Sequence, residues 1–119
     1  MPFLSFIKSA ENQGPPPQGL MDAMDKFVAQ SLKDGSVIQT GGLGPSKAGF
    51  RIRMQGGKLT VTDGPYAEAK EVVGGYAVLA AATREQALAD ARRFMDLHVR
   101  HWPEWVGECE VREVVFLAP

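Results

Sequence analysis

The 119 residues carry 13 Lys plus Arg against 14 Asp plus Glu, a formal net charge of -1, and 45% of them are hydrophobic. That supplies apolar material for one compact core and too little length for two ordinary domains, so a single domain over residues 1–119 is expected. No block of like charge marks a nucleic-acid footprint, and no apolar stretch approaches the roughly 18 residues of a membrane span.

Met1 to Ala10 has a short apolar run but neither the basic flank nor the cleavage site of a signal peptide. Cys109 is the only cysteine, which rules out an intrachain disulfide or a multi-cysteine metal cluster and suits a reducing cytoplasm. Pro2 to Lys8, aromatic and β-branched, reads as a strand. The Gly14-Pro15-Pro16-Pro17-Gln18-Gly19 run that follows reads as a connection.

From Leu20 the periodicity is helical: Leu20, Met21, Met24, Phe27 and Val28 share one stripe, and Gly35 supplies the stop. Val37 and Ile38 begin a short strand that Gly41-Gly42-Leu43-Gly44-Pro45 should break. Phe50-Arg51-Ile52-Arg53-Met54 alternates as a half-buried strand does, and Gly56-Gly57 joins it to Lys58 to Thr62 as a β-hairpin. After Gly74-Gly75, the apolar run Tyr76 to Ala81 predicts a strand in the middle of a sheet.

A second helix opens at Thr83, where Gln86 completes a capping box, and runs to about Trp102 before Pro103. Its expected inward stripe is Leu88, Ala91, Met95, His98 and Trp102. Glu108 to Phe116 supplies the last strand. The order approximates the split βαβ plan of ferredoxin-like α+β domains, with an additional hairpin.

The most distinctive stretch is Thr62-Asp63-Gly64-Pro65-Tyr66-Ala67-Glu68-Ala69-Lys70-Glu71, followed by Gly74-Gly75. It resembles the signature of DGPF proteins within the YCII-related family, with Tyr66 standing where the family name has phenylalanine. The hairpin before it, the Gly-Gly strand after it and the two helices extend the resemblance over essentially the whole chain. The resemblance implies a ferredoxin-like sheet with two helices on one face, dimerised into an α+β barrel, in a family whose role is largely unassigned and whose genes often accompany sigma factors of the extracytoplasmic type. It also implies a caution. Better-studied relatives pair an aspartate with a histidine in the first helix region, and Leu20 to Asp34 contains no histidine.

Asp63-Gly64-Pro65 is physically a turn, expected to use positive φ at Gly64, and needs no ligand to explain it. Its functional reading places Asp63 at a strand end near Tyr66, Lys70 and Glu71, around a small pocket. Lys70 and Glu71 equally suit a solvated loop, and Glu68 an exposed loop carboxylate. His98 faces the sheet, where a satisfied core histidine and a general base are both open readings. His101 lies at the edge of the same stripe, without a third ligand of suitable spacing for a metal. Trp102 and Trp105 read as a core or interface seal, and Cys109 as a small hydrophobe. Gly41-Gly42-Leu43-Gly44 lacks the Gly-Lys-Ser/Thr ending of a phosphate loop, so no cofactor is implied.

Two functions follow as expectations. One is a small-molecule binder or enzyme with Asp63 and His98 as acid-base candidates, and with Tyr66, Lys70 and His101 contacting substrate. The other is a non-catalytic dimeric interaction or regulatory module associated with a sigma factor. A homodimer is expected in either case, because two helices cannot cover both faces of the sheet.

Overall fold

In the computed structural model, which describes residues 1–66, 70–116 and 118, the elements in chain order are β1 (Phe3–Ser9), α1 (Gln18–Asp34), β2 (Val37–Gly42), β3 (Phe50–Gln55), β4 (Lys58–Asp63), β5 (Val72–Leu79), α2 (Arg84–His101) and β6 (Gly107–Glu113). Glu68, expected to be an exposed loop carboxylate, lies outside the described residues with its neighbours 67 and 69.

Four strands form an antiparallel sheet in the order β2-β5-β1-β6, and among the described residues β3 pairs only with β4, in a separate hairpin. With the hairpin set aside, this is the strand order of the split βαβ, ferredoxin-like α+β plan. β5 and β1 occupy the middle, as expected for the apolar run Tyr76 to Ala81, of which β5 takes the part up to Leu79.

Alternation sorts β1 between two faces. Phe3 and Ser5 are buried toward the helices, and Leu4 and Phe6 stand half-buried on the opposite face with Tyr76 and Val78 of β5. The core is small: Phe3, Leu79, Ala81 and Ala87 cluster, with Val37, Ala77 and Val111 packed around them. On the outer face Lys8 bridges Glu108 at 3.0 Å and Glu110 at 2.9 Å. Its bond to Glu110, seconded by Glu108, lifts the ammonium above its ordinary pKa.

Several boundaries differ from those the sequence implies, each for a visible reason. α1 begins at Gln18 because Pro17 caps it, its carbonyl accepting from the Leu20 and Met21 amides. β2 continues through Gly41 and Gly42, which pair with Tyr76 and Gly75, instead of breaking there. β5 starts at Val72, with Gly74 left as a bulge opposite Ile7 and Lys8. β6 stops at Glu113, opposite Phe3 at the start of β1, and one further backbone bond, from the Val114 amide to the Pro2 carbonyl at 2.8 Å, follows it.

The stop of α1 at Gly35 and the opening of α2 at Thr83 agree with expectation, but the capping box is half made, since the Gln86 side chain donates to Asp90. Gly35 closes α1 in the left-handed region at φ 83°, and the Thr83 hydroxyl accepts from the Gln86 amide at 3.1 Å. The buried face of α2, however, is Ala87, Asp90, Ala91, Leu97 and His98. Leu88, expected inside, is exposed, because the stripe is rotated toward Ala87.

The hairpin is made as expected, with Gly56 and Gly57 both at positive φ in its turn. Its strands are not half-buried: every residue of β3 and β4 is exposed.

Candidate functional site

The floor of the sheet beneath the helices is built of small side chains. Ser5, Gly42, Gly75 and Ala77 occupy positions whose alternation points them at α1 and α2. A Cβ at Gly42 would meet no atom within 4 Å. The helices therefore stand over an unfilled space, a cavity of about 480 Å³ whose other walls include Leu20, Met24 and Phe27 of α1 and Ala91, Phe94 and His98 of α2. This volume suits a small-molecule site.

One end of the cavity is aromatic. Phe27 and Phe94 join the helices with ring centroids 5.8 Å apart, Phe94 meets His98 edge-on at 5.4 Å, and His98 lies 4.5 Å from Trp105. Trp105 reaches this position because Gly107 has no side chain: a Cβ there would fall 2.3 Å from the indole.

Several polar groups of the cavity are satisfied within the chain. Ser5 shares a hydrogen bond with Cys109 Sγ at 3.1 Å, and burial raises the Cys109 thiol above its ordinary pKa, so the sulfur is a neutral packing atom. The buried Asp90 carboxylate accepts from Gln86 Nε2 at 2.9 Å and from the Arg93 guanidinium. Ser31 is buried on α1.

His98 differs. Its Nδ1 is the buried side-chain nitrogen or oxygen that, among the described residues, has no hydrogen-bond partner. Burial lowers the imidazole's pKa, opposed in part by the backbone carbonyls of Phe94 and Met95 in the preceding turn. The ring therefore favours its neutral form and lines the cavity as an uncharged base.

The other expected site residues lie elsewhere. Asp63 ends β4, exposed, opposite Phe50, and is not in the cavity wall, so one chain does not bring it and His98 into one pocket. Tyr66 lies 3.7 Å beneath the Arg51 guanidinium, and with Arg51, Ser46 and Glu71 it lines a second depression of about 310 Å³. Lys70 is exposed and lines neither space. His101 is exposed at the end of α2, its Nδ1 3.5 Å from where a Cβ of Gly19 would sit.

The Asp-Gly-Pro turn shows an architectural role. Gly64 is not at positive φ, contrary to expectation. Glycine is required because a Cβ there would lie 1.7 Å from the Ser46 carbonyl oxygen. The Gly64 amide donates to the Gly49 carbonyl at 2.9 Å, and Glu11 accepts from both the amide and the hydroxyl of Ser46, which lowers the Glu11 pKa.

Sequence reasoning missed Asp90, Phe94 and the small-residue floor. A charged residue within a helix reads as outward, and the signal that could have found Asp90 is its Gln86 and Arg93 partners at spacings of four and three. No group of three or more His, Cys, Asp or Glu among the described residues could hold a metal ion. No helix among the described residues is long and apolar enough to cross a membrane.

The model of the YCII-related domain matches residues 1–96, from β1 into α2. No curated protein matches the chain.

Proposed function

The chain belongs to the YCII-related domain family, and from that premise we propose that it is a small-molecule-binding protein whose ligand lies between the sheet and the two helices. One observation carries this reading: a space of about 480 Å³, floored by small residues and walled by apolar ones, holds the buried imidazole of His98. A neutral imidazole there is a competent proton acceptor, so acid-base chemistry belongs to the proposal. Its partner is not Asp63 of the same chain in this arrangement. That pair would need the hairpin of a second copy or a different position of the hairpin.

The test is thermal unfolding with small aromatic compounds, since a ligand that binds the folded state raises its melting temperature. A rise in the native protein, absent when Gly42→Leu fills the open space, supports the reading. No rise with any compound small enough to enter would overturn it.

The finer assignment to the DGPF branch, the homodimer and a cytoplasmic setting are parts of the same proposal. Support for the dimer comes from the apolar outer sheet face, Leu4, Phe6 and Val78, which neither helix covers. The exposed hairpin favours a second reading, a dimeric interaction module acting beside a sigma factor. Under that reading the cavity binds nothing and the apolar surfaces carry the function.

A further inference from the structure

The chemistry of the cavity defines the class of ligand it would take, given that it binds one at all as proposed above. Phe27, Phe94, His98 and Trp105 make successive ring contacts, a wall suited to a flat unsaturated ring. Opposite them, Gly42 and Gly75 present bare peptide surface, which a planar ring can approach more closely than it could a branched side chain.

Charge is excluded by the same walls. The cation at the cavity is Arg93, already paired with Asp90, and Asp90 itself is buried there. A carboxylate or phosphate would enter without a free cation and beside an anion, a costly arrangement in an apolar space.

Among the described residues, the fully buried side-chain nitrogen or oxygen without a partner belongs to a ring that lines this cavity. Nδ1 of His98 is sealed from solvent, with the carbonyls of Phe94 and Met95 beside the ring. The proposed contact takes the proton of the neutral ring on the sealed Nδ1, which leaves the Nε2 lone pair for the ligand. With Nδ1 sealed, Nε2 is the nitrogen a ligand can meet, and it asks for a donor. Ser5 and Asp90 already have partners.

We infer that the cavity takes an uncharged aromatic molecule carrying one hydroxyl, its ring held between the Phe27, Phe94 and Trp105 wall and the glycine floor, its hydroxyl donating to His98 Nε2.

Three probes of nearly equal size test this on the full chain at pH 7.5: toluene, phenol and benzoate, each titrated by calorimetry and followed in the imidazole nitrogen spectrum. Phenol should bind about fivefold tighter than toluene, the advantage of one net hydrogen bond, and benzoate weakest. The His98 Nε2 resonance should move with phenol and stay with toluene. His98→Phe keeps the ring packing and should reduce phenol to the affinity of toluene, and His98→Gln, should that variant fold poorly, should do the same. If toluene binds as tightly as phenol, or benzoate binds best, the class of ligand is wrong while the cavity reading stands. If none of the three binds even near saturation, the cavity reading itself falls, and this inference with it.

Discussion

In β1, Phe3 and Ser5 alternate with Leu4 and Phe6, and in β3, Phe50, Ile52 and Met54 alternate with Arg51 and Arg53. The first set is buried beneath the helices, whereas the apolar residues of the hairpin are 60% to 73% exposed. A period of two fixes which residues share a face and which strand pairs with which, and it is silent about what will cover that face. In the sheet, two helices supply the cover. In the hairpin the chain supplies none among its described residues, so the anchoring is concentrated at the base, where Gly64 packs on Ser46, Glu11 holds Ser46 and Arg51 lies on Tyr66. A lone two-stranded hairpin is marginal in water, which makes that base decisive.

The largest effect should therefore come from Gly64→Val, whose branched side chain would collide with the Ser46 carbonyl. We expect a loss of about 3 kcal/mol, the size of an overpacked site that cannot relax. Gly42→Val is the matched control in the sheet, since its Cβ meets nothing within 4 Å, and its effect should stay within about 0.5 kcal/mol. Equal midpoints in chemical unfolding for the two variants would mean that the base of the hairpin yields freely, and the contrast between the regions would lose its physical basis.

Next in size is Ile52→Asp, at the centre of the apolar face and opposite Val61. If a second copy covers that face, as the proposed homodimer requires, the native chain should sediment as a dimer at micromolar concentration. The variant should then lose about 2 kcal/mol of association, the worth of one buried aliphatic side chain, and its melting temperature should cease to depend on protein concentration. A native chain that is monomeric at tens of micromolar would show that the face is simply exposed.

The same contrast explains what the sequence could reveal. The helix ends were legible because caps act locally: Thr83 and Gln86 are three residues apart, and Gly35 answers its own φ. The hairpin was legible because Gly56-Gly57 and two alternating runs are contiguous. The cavity was not, since Gly42, Gly75, Ser5 and Ala77 come from three strands and become one floor only through register. His98 was placed correctly on the inner face of α2, while the pairing with Asp63 depended on where the hairpin lies, which no local pattern encodes. For Gly64 the position was read correctly and its reason was not, because a clash with Ser46, eighteen residues away, is a tertiary fact.

A smaller effect checks that the sheet region is held by such local devices as well as by packing. Thr83→Ala removes the cap of α2 and should cost about 1 kcal/mol, while Thr83→Ser should cost little. An alanine variant as stable as the native chain would mean that contacts of Ala87 and Ala91 alone keep the first turn in place.

The smallest effect concerns His98, and its sign follows from linkage. Burial holds its pKa in the folded chain below the ordinary value of 6.5, so between those two values the unfolded chain binds more protons than the folded one. Stability attached to His98 is therefore full at neutral pH and above, and it is lost as pH falls through 6.5 toward the lowered folded value. The useful window is pH 7.5 down to 5.5, because Glu11, Asp34 and Glu110 all have pKa values below the ordinary carboxylate range and stay ionised across it. Across that window the native chain should lose melting temperature progressively, and His98→Gln, which keeps a polar side chain but cannot titrate, should flatten the slope. His101→Gln should retain the native slope, since His101 is exposed and borders the cavity nowhere. With a hydroxyl-bearing aromatic ligand present, the slope of the native chain should steepen, because protonating Nε2 removes the acceptor as well as charging the ring. A full native slope in His98→Gln would mean that the imidazole is not what senses the pH, and the neutral base assigned to the cavity would have to be another group.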